Sequence, residues 1–233
     1  MWCSCDRESC TFMRPKLVIF DFDGVIADSE ALSNQVLANN MTAFGFPTSY
    51  EQALERYMGR RWDDCLAVFK EIWDRPAPET LRESIEADMD ARSMTDLRPV
   101  KGVSEFLQAL GSKAKCIGSS STPDWIERRL ELFGFSHHFK NAVFSAAVHV
   151  ARGKPHPDIF LHAAKTMGAG PRETLVIEDS PTGVAAGVSA GMTVIGLCAG
   201  SHIRPGHDQC LRSAGAHHIC TSYAGVSDLI AAA

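Results

Sequence analysis

The sequence predicts an α/β protein: a parallel, doubly wound sheet with an all-helical segment inserted after its first strand. Three observations predict it. Short apolar, β-rich runs recur through the chain, each separated from the next by a helical or loop segment. The first run stops at Asp21-Phe22-Asp23-Gly24, turn chemistry that ends a buried strand. Residues 30–97 then break the alternation with helical periodicity and no convincing strand.

In order, the first strand is residues 16–20 (KLVIF), which sets the two aspartates at its C-terminal edge. Residues 51–73 and 79–93 read as helices, so residues 30–97 are expected to form a separate helical domain. Further strands are expected at 114–118, 142–145, 174–177 and 193–197, the last completing the sheet. Residues 14–29 and 98–233 together make the α/β core, and residues 1–13 are expected to be a flexible leader. Gly183, Ala185, Ala186, Gly187 and Ala190 give a helix with very small side chains, suited to packing close to the sheet.

Composition narrows the function. A chain of 233 residues, 45% hydrophobic and 22% charged, buries a full core. Its formal net charge of -5 provides no broad basic field for nucleic acid or an anionic membrane, so an anionic substrate must be held by local charges. No apolar run approaches the roughly 20 residues of a membrane span, and the opening MWCSCDRESC lacks the apolar core of a signal peptide. A soluble cytoplasmic protein, monomeric or weakly dimeric, is expected. Cys65, Cys116, Cys198, Cys210 and Cys220 are scattered and read as reduced thiols, while Cys3, Cys5 and Cys10 lack the second ligand pair of a zinc finger.

Ligands of open parallel sheets bind beyond the carboxyl ends of the strands, and four polar clusters lie there. Asp21 and Asp23, two residues apart, offer one carboxylate to attack and another to move a proton, although the same pattern also makes a plain turn. Ser119 and Ser120 open a serine run that can hold phosphate oxygens, with Thr122 capping a helix that begins at Pro123. Arg152-Gly-Lys154-Pro-His-Pro-Asp158 is a proline-stiffened loop carrying a lysine, a point charge for phosphate. Glu178 and Asp179 are adjacent acids of the kind that bind Mg²⁺ through oxygen.

Charge ties the four together. A phosphate dianion about 4 Å from an ionised aspartate is opposed by several kcal/mol per charge at an effective dielectric near 20. A nucleophilic aspartate therefore needs a cation, further acids to hold it, and a lysine for the phosphate. The acids and the lysine are each present at a strand end.

Asp21-Phe-Asp-Gly-Val25, Ser119, Lys154-Pro-His-Pro-Asp158 and Glu178-Asp179 resemble the four motifs of the haloacid dehalogenase superfamily, in its phosphatase and β-phosphoglucomutase-like branch. The similarity runs from about residue 17 to residue 229. It implies a Rossmann-like core, a helical cap, and Mg²⁺ held by Asp21, the carbonyl of Asp23, and Asp179, with Glu178 ordering the site. It further implies that Asp21 attacks phosphorus to form an aspartyl-phosphate, that Asp23 is the acid and base, and that Ser119 and Lys154 hold the transferring oxygens.

The dehalogenase and phosphonatase relatives lack the second acid, which is present here as Asp23. The mutases generally carry a histidine twelve residues after the nucleophile and an arginine three residues after a cap glycine, where this chain has Ser33 and Trp62. A phosphatase acting on a small phosphorylated metabolite, a sugar or sugar acid, is therefore expected ahead of a mutase or a non-catalytic binding protein. Arg60, next to Arg61 behind Gly59, is a candidate for the rest of the substrate, although solvated pairing is the plainer alternative. Ser201-His202-Ile-Arg-Pro-Gly-His207 reads as an ordinary turn and receives no role.

Overall fold

The computed structural model describes residues 14–57 and 62–232. Among them six strands form one sheet: β1 (Leu17–Phe20), β2 (Ala114–Ser119), β3 (Val143–Ser145), β4 (Thr174–Glu178), β5 (Thr193–Leu197) and β6 (His218–Cys220). Their order is β3-β2-β1-β4-β5-β6, and every neighbouring pair is parallel. The strands β1 and β4 run in step, with Phe20 opposite Ile177, so that Asp21 and Glu178 leave the sheet side by side.

The four residues of β1 are fully buried because helices cover both faces of the sheet. That is why the strand is continuously apolar instead of alternating. Its side chains divide between the faces with the period of two that strands impose. Val18 and Phe20 join Phe106 and Leu107 of α5 (Val103–Leu110), Ile126 and Leu130 of α6 (Pro123–Leu132), and Tyr223 and Val226 of α11 (Tyr223–Ala231). Leu17 and Ile19 join Phe160 and Ala163 of α8 (Asp158–Thr166), Val184 of α9 (Pro181–Ser189) and Leu211 of α10 (His207–Ser213). The short α7 (Ala146–His149) follows β3. The small side chains of α9 do admit close packing, since a Cβ on Gly187 would lie 2.7 Å from Val194 of β5.

The helices α1 (Ser29–Ala43), α2 (Tyr50–Tyr57), α3 (Trp62–Trp73) and α4 (Leu81–Ser93) build a third apolar cluster around Met41, Phe46, Tyr57, Phe69 and Leu81. The two connections to this helical segment lie against each other, Asp28 N–H donating to the carbonyl of Arg98 and Val100 N–H to that of Ile26. On the far side, Arg128 and Arg129 of α6 both donate to Asp90 of α4. Arg129 is completely buried, its guanidinium 3.6 Å from the centre of the Trp125 ring.

Two sequence expectations need correction. The strand 193–197 is not the last of the sheet, because β6 pairs beyond it; its three residues, His218, Ile219 and Cys220, contain no apolar run to announce them. Strands β2 and β4 each extend one residue further than expected, which makes Ser119 and Glu178 strand residues rather than loop residues. The five described cysteines are free thiols, as expected. No helix of the described chain is long and apolar enough to cross a membrane. The expected leader, Gly59, Arg60 and Arg61 lie outside the described residues.

Candidate active site

The sheet brings five of the expected side chains, Asp21, Ser119, Lys154, Glu178 and Asp179, to the C-terminal ends of β1, β2 and β4, and Asp23 follows one turn beyond β1. Asp21 N–H donates to the carbonyl of Ile177, continuing the β1–β4 pairing into the site. Lys154 reaches in from the loop before α8 and donates to Asp21 Oδ1 and Glu178 Oε1, both at 2.6 Å. Glu178 accepts in addition from the backbone N–H and hydroxyl of Ser180, the N-cap of α9. A Cβ at Gly183 would stand 1.6 Å from Glu178 Oε1, so the bare first turn of α9 is what makes room for this carboxylate.

Asp179 needs similar room. Gly24 adopts φ +76, a conformation open to glycine, and a Cβ there would lie 1.8 Å from Asp179 Oδ2. Asp23 is held by three donors: Ser29 Oγ at 2.7 Å, Ser121 Oγ at 2.5 Å and Trp125 Nε1 at 3.3 Å. Ser119 is buried and its hydroxyl accepts from Ser121 N–H at 3.1 Å. Ser120 is exposed, and no hydrogen bond joins it to the acids. Thr122 caps α6, with Pro123 as its first residue.

The electrostatics are unbalanced. Burial pushes the Asp21 carboxyl well above its usual range; Lys154 pulls it back, while Glu178, Asp179 and Asp23 push it further up. Burial and then Glu178 do the same to Asp179. For Lys154, burial favours the neutral amine, but Asp21 and Glu178 outweigh it and hold the ammonium above its ordinary range. Glu30, near Asp179 and Asp23, is raised to about 7, chiefly by burial. Among the described residues five carboxylates, Asp21, Asp23, Glu30, Glu178 and Asp179, thus cluster about a single ammonium, a group short of positive charge.

That deficit fits a hard divalent cation. One oxygen each from Asp21, Glu178 and Asp179 lie within 4.8 Å of one another, an all-oxygen donor set of the kind Mg²⁺ takes. A carboxylate that can attack, a second carboxylate two residues on that can carry a proton and a lysine between two acids form an arrangement suited to displacement at phosphorus.

The family pattern described as haloacid dehalogenase-like hydrolase matches residues 18–197. The chain belongs to the haloacid dehalogenase-like hydrolases. A haloacid dehalogenase-like protein from Agrobacterium tumefaciens superposes with a TM-score of 0.85 and 34% identity, covering 93% of this chain and 98% of that one. The chain is 25% identical over 193 residues to the 6-phosphogluconate phosphatase of Escherichia coli, spanning 82% of itself and 86% of that protein. It is 32% identical over 188 residues to hexitol phosphatase A of the same organism, spanning 79% and 84%. This haloacid dehalogenase-like hydrolase is a phosphoric monoester hydrolase.

Sequence reasoning missed several residues that the hydrolase brings to these acids. Ser121 lies in the serine run and was within reach of the pattern, but its neighbours Ser119 and Ser120 are the ones expected to bind. Ser29 is only the first residue of a helix, and Trp125 sits 102 residues from Asp23 with no local signal. His202 and His207, read as turn residues, both contact Asp179.

Proposed function

We propose that this hydrolase is a Mg²⁺-dependent phosphatase that releases phosphate from a small phosphorylated sugar or sugar acid through an aspartyl-phosphate on Asp21. The observation that carries it is Lys154 set between Asp21 and Glu178, with Asp179 beside them and Asp23 held separately by its own donors. The metabolite class follows the named activities of the Escherichia coli relatives.

Asp21, Glu178 and Asp179, with the carbonyl of Asp23, are the groups that would hold Mg²⁺; when bound, the cation supplies the charge neutralisation that lets two anions approach. An oxygen of Asp21 attacks phosphorus, and the bond to the leaving oxygen breaks as Asp23 gives that oxygen its proton. Asp23 then takes a proton from the water that attacks phosphorus and frees Asp21. Ser29, Ser121 and Trp125 hold the Asp23 carboxyl in place for both transfers. Ser119 and Lys154 hold the transferring oxygens. The helices of residues 30–97 serve as a cap that excludes competing water, and Arg60 and Ser120 meet the remainder of the substrate. Free thiols suit the reducing cytoplasm, where the protein acts as a monomer or weak dimer.

Ser33 favours hydrolysis over isomerisation: its hydroxyl bonds the carbonyl of Glu30 at 3.0 Å, inside its own helix, and no histidine replaces it. The test is a panel of sugar phosphates incubated with purified protein and Mg²⁺, scored for free phosphate and for isomerised ester. Phosphate release that disappears in Asp21→Asn is expected. An isomer in place of phosphate would make the protein a mutase, and full turnover by Asp21→Asn would remove the nucleophile.

A further inference from the structure

Two histidines, His202 of the loop after β5 and His207 at the start of α10, converge on one residue. His202 Nε2 lies 3.0 Å from Asp179 Oδ2, and His207 Nε2 lies 2.6 Å from the Asp179 carbonyl oxygen. A carbonyl oxygen only accepts, and so does an ionised carboxylate, so both Nε2 atoms carry hydrogen. Among the described residues His202 is the only side chain that bonds the Asp179 carboxylate. Its ring is buried and its Nδ1 meets no partner, so Asp179 is its sole polar attachment.

The loop is built to hold this ring. Ser201 donates through its backbone N–H and its hydroxyl to Asp28 Oδ1, at 2.9 and 3.0 Å, fixing the residue before His202. Gly200 lies under the imidazole, where a Cβ would be 2.6 Å from Cε1 and Nδ1. Gly206 turns the chain into α10, whose first residue is His207. Asp179 meanwhile offers a carboxylate oxygen within 4.8 Å of oxygens of Glu178 and Asp21, and like charges that close repel one another.

We propose that His202 and His207 are positioning residues for Asp179, gripping its carboxylate and its carbonyl so that the carboxylate faces the cation despite the repulsion of Asp21 and Glu178. This rests on the assignment of Asp179 as a cation ligand. Partners of this kind orient the ligand and tune its affinity without touching the metal.

Calorimetric titration of the metal-free full-length protein with MgCl₂ tests it, alongside thermal melts in EDTA. His202→Leu removes the donor and weakens Mg²⁺ binding about ten- to a hundredfold. His202→Gln, which keeps an amide N–H within reach of Oδ2, stays within about threefold of wild type, and Asp179→Asn marks the full loss. Gly200→Ala displaces the ring with both partners intact and gives a second measurement should His202→Leu fail to fold. Wild-type affinity in His202→Leu or Gly200→Ala, or equal losses in His202→Leu and His202→Gln, overturns the positioning role and leaves the cation assignment standing. Mg²⁺ binding that survives Asp179→Asn overturns both.

Discussion

Replacing Lys154 by Met keeps the linear apolar stem of the side chain and removes the ammonium between Asp21 and Glu178. The lysine side chain is 6% exposed and lies 2.6 Å from each carboxylate. Coulomb's law at an effective dielectric of about 20 puts each contact near 6 kcal/mol gross, most of which desolvation of the three charges offsets. Breaking a buried pair from one side costs about 3–5 kcal/mol, because the orphaned charge stays behind. For a chain of this size that corresponds to a fall in Tm of about 6–20 °C. The assay is thermal unfolding by circular dichroism in EDTA, at pH 5 and pH 8. The deficit should be larger at pH 8, since without the lysine Asp21 is raised further and takes a proton at pH 5, relieving the repulsion. A melting point within about 2 °C of wild type at pH 8 would refute the buried bridge.

Three further outcomes follow from the same geometry. In wild type without metal, Asp21 and Asp179 have folded pKa values above their unfolded ones, and Glu30 reaches about 7. The stability these groups contribute is complete below about pH 4 and is lost as pH rises through their folded values. Melts in EDTA should therefore show a declining contribution from pH 5 to pH 8 that Mg²⁺ reverses, and a metal effect independent of pH would contradict this. Gly24→Ala adds about 1–2 kcal/mol of backbone strain at φ +76 and drives a Cβ into Asp179, so Tm and Mg²⁺ affinity should fall together. Trp125→Phe preserves a ring beneath Arg129 but removes the N–H to Asp23; kcat should drop about two- to tenfold, the value of one hydrogen bond, and an unchanged kcat would remove Trp125 from the site.

Much of this protein was legible from the order of its residues because the signals are local. KLVIF ends at Asp21, and LVI ends at Glu178-Asp179. In a parallel sheet those two facts place the acids on one edge before any coordinate is known. The lysine ahead of two prolines and the helical periodicity of residues 51–73 are likewise written within a few residues of themselves. Other features carry no such trace. β6 is three residues at an edge, two of them half-buried, where pairing with β5 supplies what apolar content does not. Arg129 looks like a surface charge on a helix, yet Trp125, Asp90 and Ser93 bury it completely. The grip of His202 and His207 on Asp179 and of Trp125 on Asp23 depends on how two loops and a helix end pack over the sheet. By itself the sequence determined five of the six strands and put the acids and the lysine after them, because hydrophobic periodicity and turn chemistry act between near neighbours. Only the tertiary structure decided which donors hold those acids, because a hydrogen bond forms within about 3 Å in space whatever the separation along the chain.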